Sequence, residues 1–342
     1  MGTKARNEKI DIVRGIAILM VVMGHALSAF QGAENTFVYN VIFAVQMPLF
    51  MIISGYVAIY SKSVDGLPAF GKRLARRTVA LMLPWVVWTI IRYIVTAPQQ
   101  SIFDYMSYLF GHMDTGYWFL VSLWTIDFIF NLSALFSSIG KQKQLNKYHR
   151  LLVQCGYIGV LFALLFVIGR LVGFNVFAIR YSLYYLPFFC LGYLFACVSV
   201  DIVGEKWFDV LSAAVVAVCG LAFAILCVKF NVQGSDDSIF NIAVRIITSL
   251  SGCAVIFWTI DKLSCTAKAW SIIKFYGKHS LELYIIHYFF LNLVNTEGIE
   301  LFSSFGIPIL FMNYVISIVS STVLIYVINS NRFLKKILFG KK

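Results

Sequence analysis

Residues 10–30, IDIVRGIAILMVVMGHALSAF, are long and apolar enough to form one membrane-spanning helix, yet they hold Asp11, Arg14 and His25. A helix that crosses the roughly 30 Å hydrocarbon core of a bilayer needs about 20 mostly apolar residues at about 1.5 Å rise each. Ionisable groups inside such a segment are costly, so each is either shielded by neighbouring helices or put to use. Asp11 and Arg14 stand three apart and can pair on one helix face. Arg14 and His25 stand eleven apart, close to three turns, which puts them on that same face and separates them by roughly 16 Å along the axis. Each has a bland alternative: Arg14 as an anchor that snorkels to the interface, His25 as a satisfied interior histidine. In register with Asp11 they form a candidate catalytic stripe, with His25 at its far end.

Outward from this helix the apolar pattern recurs. We read about ten spanning segments, over roughly 10–30, 37–60, 78–97, 117–138, 151–173, 182–200, 208–229, 239–260, 279–296 and 306–328. Of the 342 residues 60% are hydrophobic and 13% charged, against about 45–50% apolar and 25% charged in soluble domains. The fold class expected is all-α, a polytopic transmembrane helix bundle that takes up 1–342 as a single domain, with a basic tail over 329–342. No repeat and no loop large enough for a soluble domain stands out.

Charge then orients the bundle. Lys4, Arg6 and Lys9 precede the first span, and Lys62, Lys72, Arg73, Arg76 and Arg77 follow the second. Lys141, Lys143, Lys147 and Arg150 follow the fourth, and Lys262, Lys268, Lys274 and Lys278 the eighth, with Arg332, Lys335, Lys336, Lys341 and Lys342 closing the chain. The alternate loops carry Glu34, Asp104, Asp114, Asp236, Asp237, Glu297 and Glu300. Basic residues flank spans on the cytoplasmic side, so both termini are expected in the cytoplasm. The net charge of +12 is thereby a topology signal, and nucleic acid drops out as a partner.

The seven cysteines show no two-residue spacing of a metal or redox site and fall mostly inside apolar segments, so free thiols and no metal are expected. The first apolar run contains three ionisable groups and does not read as a cleaved leader. Between Pro98 and Gly116, Ile102, Phe103, Tyr105, Met106, Tyr108, Leu109 and Phe110 suggest a short amphipathic or re-entrant element in the interface.

Further intramembrane polar groups are Glu282, Tyr284 and His287 in the ninth predicted span, Asp127 in the fourth, and Arg92, Arg170 and Arg245 in or near others. Arg73, Arg76 and Arg77 have i, i+3, i+4 spacing, which would line three guanidinium groups along one helix side. That array suits a phosphorylated ligand; it equally suits topology and anionic lipid.

Taken in order, the motifs resemble the acyltransferase 3 family of integral-membrane acyltransferases. DIVRGIAILMVVMGH (11–25) matches its arginine, ten residues, histidine pattern at Arg14 and His25. QMPLFMIISGY (46–56), FGKRLARRTVALMLPW (70–85), YWFLVSLW (117–124), YYLPFFCLGYLF (184–195) and YGKHSLELYIIHYFF (276–290) resemble the later motifs. Gln46 is a departure, because many members carry histidine there, and a type without the fused hydrolase-like domain of longer members is expected.

The resemblance implies transfer of an acyl group, usually acetyl, from cytoplasmic acyl-coenzyme A to a hydroxyl of a cell-envelope carbohydrate or lipid-linked sugar, in a bacterial inner membrane. Acyl-CoA would act as co-substrate, with no permanently bound cofactor. Membrane lipids and envelope-glycan biosynthesis proteins are the other expected partners. Under that implication Arg73, Arg76 and Arg77 become a clamp for the coenzyme A phosphates, and the pantetheine arm presents its thioester to His25. His25 then serves either as base toward the acceptor hydroxyl or as a nucleophile. Arg14 would orient the arm with Asp11 fixing Arg14, while Ser54, Tyr56, Trp118, Glu282 and His287 shape the acceptor side. A transporter of a small acyl compound or envelope precursor, and a succinyl rather than acetyl transferase, remain the competing readings.

Overall fold

Lipid offers no partners to backbone N–H and C=O groups, so a chain this apolar has to close its hydrogen bonds within helices. The computed structural model describes residues 7–96, 101–139, 146–202, 206–231, 238–263, 268–291 and 293–341. Lys4, Arg6, Lys141, Lys143, Asp236, Asp237, Cys265 and Lys342 therefore lie outside the described residues. The helices are α1 (Glu8–Leu27), α2 (Phe37–Ala58), α3 (Leu67–Thr96), α4 (Ile102–Gly111), α5 (Trp118–Ser138), α6 (Lys147–Val172), α7 (Ile179–Ile202), α8 (Lys206–Lys229), α9 (Ile239–Lys262), α10 (Lys268–Lys278), α11 (Ser280–Ile286), α12 (Gly306–Asn329) and α13 (Arg332–Phe339). Among the described residues there is no strand beyond one isolated bridge between Gln31 and Glu300. Nine helices among them (α1–α3, α5–α9 and α12) are long and apolar enough to cross a membrane. The six described cysteines are free thiols.

The ninth predicted span takes a different form. Instead of one helix over 279–296, the helical stretch starts at Lys268 and breaks at His279, whose φ of −107° and ψ of 23° leave the helical range. It resumes as α11 and tightens into a 3₁₀ turn over His287–Phe289. Neither α10, with 11 residues, nor α11, with 7, is of spanning length.

By its contacts the chain divides into two compact units: Met1–Val57 with Leu191–Val327, and Ala58–Cys190 with Ile328–Lys342. In the first, α1 is well enclosed, with Ile12, Val13, Ala17, Ile18, Val21 and Val22 essentially without exposure. Two glycines let α10 lie directly on it. A methyl group at Gly277 would sit 1.8 Å from the carbonyl oxygen of Asp11, and one at Gly15 would sit 2.1 Å from that of Ile273. Lys274 Nζ closes the crossing from outside at 2.8 Å from Glu8 Oε2. Because the obstacle is backbone rather than a flexible side chain, Gly277→Ala has to push α10 off α1. We expect a loss of about 1–3 kcal/mol, read as a lower unfolding temperature of the detergent-solubilised protein, whereas Gly156→Ala, in open space within α6, should not lower it.

Beyond α1 the chain is tied to the loop preceding α12. The Gln31 amide donates to the Ile299 carbonyl at 3.1 Å, and the Leu301 amide to the Gln31 carbonyl at 3.3 Å. From α12, buried Asn313 takes both backbone groups of Val294, accepting its N–H at 3.0 Å and donating to its carbonyl at 3.0 Å. These ties hold the end of α1 that carries His25.

In the second unit the interfacial element expected between Pro98 and Gly116 appears as α4, with Phe103, Tyr108 and Phe110 exposed. Trp85 and Tyr93 of α3 meet it through ring contacts with Phe110 and Tyr105. The tail folds as well. Asn331 Oδ1 caps α13 by accepting from the Phe333 and Leu334 amides, and Trp88 Nε1 donates to the Leu338 carbonyl at 2.7 Å. Phe339, fully buried, stacks on Trp88, while Gly340 takes φ +61° against the Val79 carbonyl.

Candidate active site

His25 occupies the last turn of α1, and the 3₁₀ turn after α11 brings two rings to it. The hydroxyl of Tyr288 lies 2.7 Å from His25 Nε2 and 3.4 Å from Nδ1. The ring of His287 is 5.4 Å from that of His25, and the Tyr288 ring is 4.7 Å away. His287 is fully buried, with Nδ1 2.9 Å from the Leu283 carbonyl. The turn that follows the break is tied to α12: the His287 carbonyl accepts from Ser317 at 3.1 Å as well as from the Phe290 and Leu291 amides. Two histidines and a phenol thus share an apolar interior, a set able to accept, hold and return a proton.

Gln46 of α2 reaches the same end of α1. A methyl group at Gly24 would lie 2.9 Å from its Oε1, and this buried oxygen has no hydrogen-bond partner among the described residues. Ser54 and Tyr56 sit farther along α2, about 12–15 Å from Gln46 at 1.5 Å per residue. The structure leaves them out of the His25 cluster; Tyr56 instead meets the Phe195 ring, 6.3 Å away.

The stripe's other end lies against the crossing of α1 and α10. Asp11 is buried beneath Gly277, and Arg14 is half-buried one turn on. Glu282 is buried in α11 and engages His279 Nδ1 at 3.1 Å across the break. Glu282 therefore has a local partner at the kink, five residues before His287.

Trp118 and the arginines belong to the second unit. Trp118 stacks on Tyr181 and Tyr185 at 4.1 and 5.6 Å between ring centres. The three arginines lie on the first turns of α3 as the spacing implies, but they are not equivalent. Arg77 Nε lies 3.2 Å from Asp127 Oδ2, close enough for an ion pair though not aligned as a hydrogen bond. Asp127 is buried and also accepts from Asn131 Nδ2 at 2.9 Å. Arg73 donates to the Lys62 carbonyl at 3.1 Å, while Arg76 is exposed.

Tyr288 is the residue that sequence reasoning missed. Its signal was a hydroxyl next to His287 in the apolar run YIIHYFF (284–290). Gln46 was noted only as a departure, because the proximity of α2 to His25 is not visible in one dimension.

An acyltransferase domain family model matches residues 7–330, and the chain belongs to that acyltransferase 3 family. With its nine spanning helices among the described residues, it is a multi-pass membrane protein. It is similar to nodulation protein NolL of Sinorhizobium fredii, at 30% identity over 206 residues, 57% of this chain and 50% of the relative. It is also similar to nodulation protein NolL of Mesorhizobium japonicum, at 30% over 211 residues, 57% of this chain and 49% of that one. The chain thus spans about half the length of the curated relatives it matches. No solved structure matches.

Proposed function

We propose that the protein is a membrane O-acyltransferase that takes an acyl group, acetyl in the first instance, from acyl-coenzyme A and transfers it to a hydroxyl of a cell-envelope carbohydrate. The observation that carries this reading is the His25–Tyr288 couple packed against His287 in the membrane interior of an acyltransferase-family chain. In the proposed arrangement the chain lies in a bacterial inner membrane with both termini cytoplasmic. Arg76, with Arg73 beside it, meets the coenzyme A phosphates at the cytoplasmic face, where a guanidinium fork suits phosphate oxygens. Within the first unit, His25 is the group that meets the donor's thioester.

The acceptor need not be known to test this. Membranes from a host lacking the gene retain the natural acceptor; supplied with the full-length protein and radiolabelled acetyl-CoA, they should incorporate label into carbohydrate, with one free thiol released per ester formed. Flux of an acyl compound into protein-loaded liposomes without donor consumption would instead identify a transporter. The mass added to the carbohydrate distinguishes an acetyl from a succinyl donor.

A further inference from the structure

His287 has one nitrogen committed and one free. Its Nδ1 faces the Leu283 carbonyl at 2.9 Å, and a carbonyl only accepts, so in the neutral ring Nδ1 carries the proton and Nε2 keeps its lone pair. Nε2 is buried and meets no hydrogen-bond partner among the described residues. The titratable groups packed around the ring are His25 from α1, 5.4 Å away, and Tyr284 and Tyr288 of its own segment, at 6.2 and 4.4 Å. None is a carboxylate or a guanidinium, and Ser317 from α12 is spent on the His287 carbonyl. Gln46 from α2 adds a second buried acceptor without a donor, at the same end of α1.

Buried acceptors are normally matched, so two unmet ones close to a catalytic candidate call for a ligand rich in donors. A thioester carbonyl offers none, whereas a sugar offers adjacent hydroxyls. Since Tyr288 already engages His25 Nε2, His287 Nε2 is the unoccupied lone pair. Resting on the acyltransferase reading, we propose that His287 is the catalytic base that receives the acceptor hydroxyl, with Gln46 Oε1 taking a neighbouring hydroxyl of the same sugar. The hydroxyl oxygen bonds to the thioester carbonyl carbon and the carbon–sulfur bond breaks. The hydroxyl proton passes to His287 Nε2 and then to the coenzyme A sulfur, which leaves as the thiol. His25 and Tyr288 stay on the donor side.

The test uses full-length protein in membranes from the gene-deleted host, with radiolabelled acetyl-CoA as donor and the resident envelope carbohydrate as acceptor, at several pH values. His287→Gln should lower the rate at saturating donor about 100-fold, leave the donor KM unchanged, and abolish the fall in rate seen on the acid side with wild type. A variant within threefold of wild type would overturn the assignment. So would a slow variant that keeps the acid-side fall, which a merely structural role predicts. His287→Asn serves as a second variant, with insertion checked by membrane abundance. Should neither insert, the wild-type profile decides, because a rate independent of pH from about 8 down to about 3 contradicts a buried histidine base. Label transfer by wild type and His287→Gln alike defeats this proposal alone; no label with wild type defeats the acyltransferase reading and this proposal with it.

Discussion

His25→Ala is expected to lower acyl transfer to carbohydrate by about 10²–10⁴-fold while the protein accumulates in the membrane at close to its normal level. The reasoning starts from position. His25 is half-buried on the last turn of α1, where truncating one ring leaves the rest of the α1 interface intact. The direct loss is one hydrogen bond of the Tyr288 hydroxyl, 2.7 Å away, and the ring tilted toward His287. Losing one such hydrogen bond costs about 0.5–1.5 kcal/mol, which a multi-helix membrane protein tolerates. Label transfer from acetyl-CoA, normalised to protein measured by immunoblot, is the readout. A variant that inserts normally and still acylates its glycan would remove His25 from the chemistry.

The second large effect separates two arginines that spacing alone treats alike. Arg77→Gln is expected to destabilise the protein by roughly 3 kcal/mol, because Asp127 is buried with Arg77 Nε 3.2 Å away, and losing that charge leaves a carboxylate stranded in an apolar surround. The guanidinium is about one-third exposed, which holds the effect to the lower end for a buried pair. Arg76→Gln, at an exposed position, should instead leave the unfolding temperature unchanged and raise the KM for acyl-CoA about tenfold. Thermal unfolding in detergent together with donor kinetics distinguishes the two outcomes. Unaltered donor KM in Arg76→Gln with normal protein levels would return that residue to setting topology.

Much of this was readable because hydropathy and helical spacing are local properties. The segments around 10–30, 37–60, 117–138 and 306–328 reappear as α1, α2, α5 and α12, and Arg14 and His25 could be put on one helix from their numbers alone. What failed was non-local or confined to one residue. The window over 279–296 averages apolar content and is blind to the break at His279 that lets His287 and Tyr288 turn toward α1. Asp127 and Arg77 are 50 positions apart, so their pairing, which takes Arg77 out of a free phosphate clamp, awaited the packing of α5 on α3. Ser54 and Tyr56 were chosen for their motif, but distance along α2 puts them away from His25, whereas Gln46 in the same motif arrives beside it.

The first unit is discontinuous in the chain, and this bears on the order in which the protein is made. Tyr288 lies 263 residues after His25. At a synthesis rate of about 5–20 residues per second, roughly 10–50 s pass between the ribosome's delivery of the two. Throughout that interval Asp11, Arg14 and His25 are in the membrane without α10 and α11 to enclose them. The helix that carries His25 is thus the first made and among the last to be covered, so a ribosome that stalls late, after the second unit's helices through Cys190 are out but before residue 288, leaves an inserted chain whose reaction centre never forms.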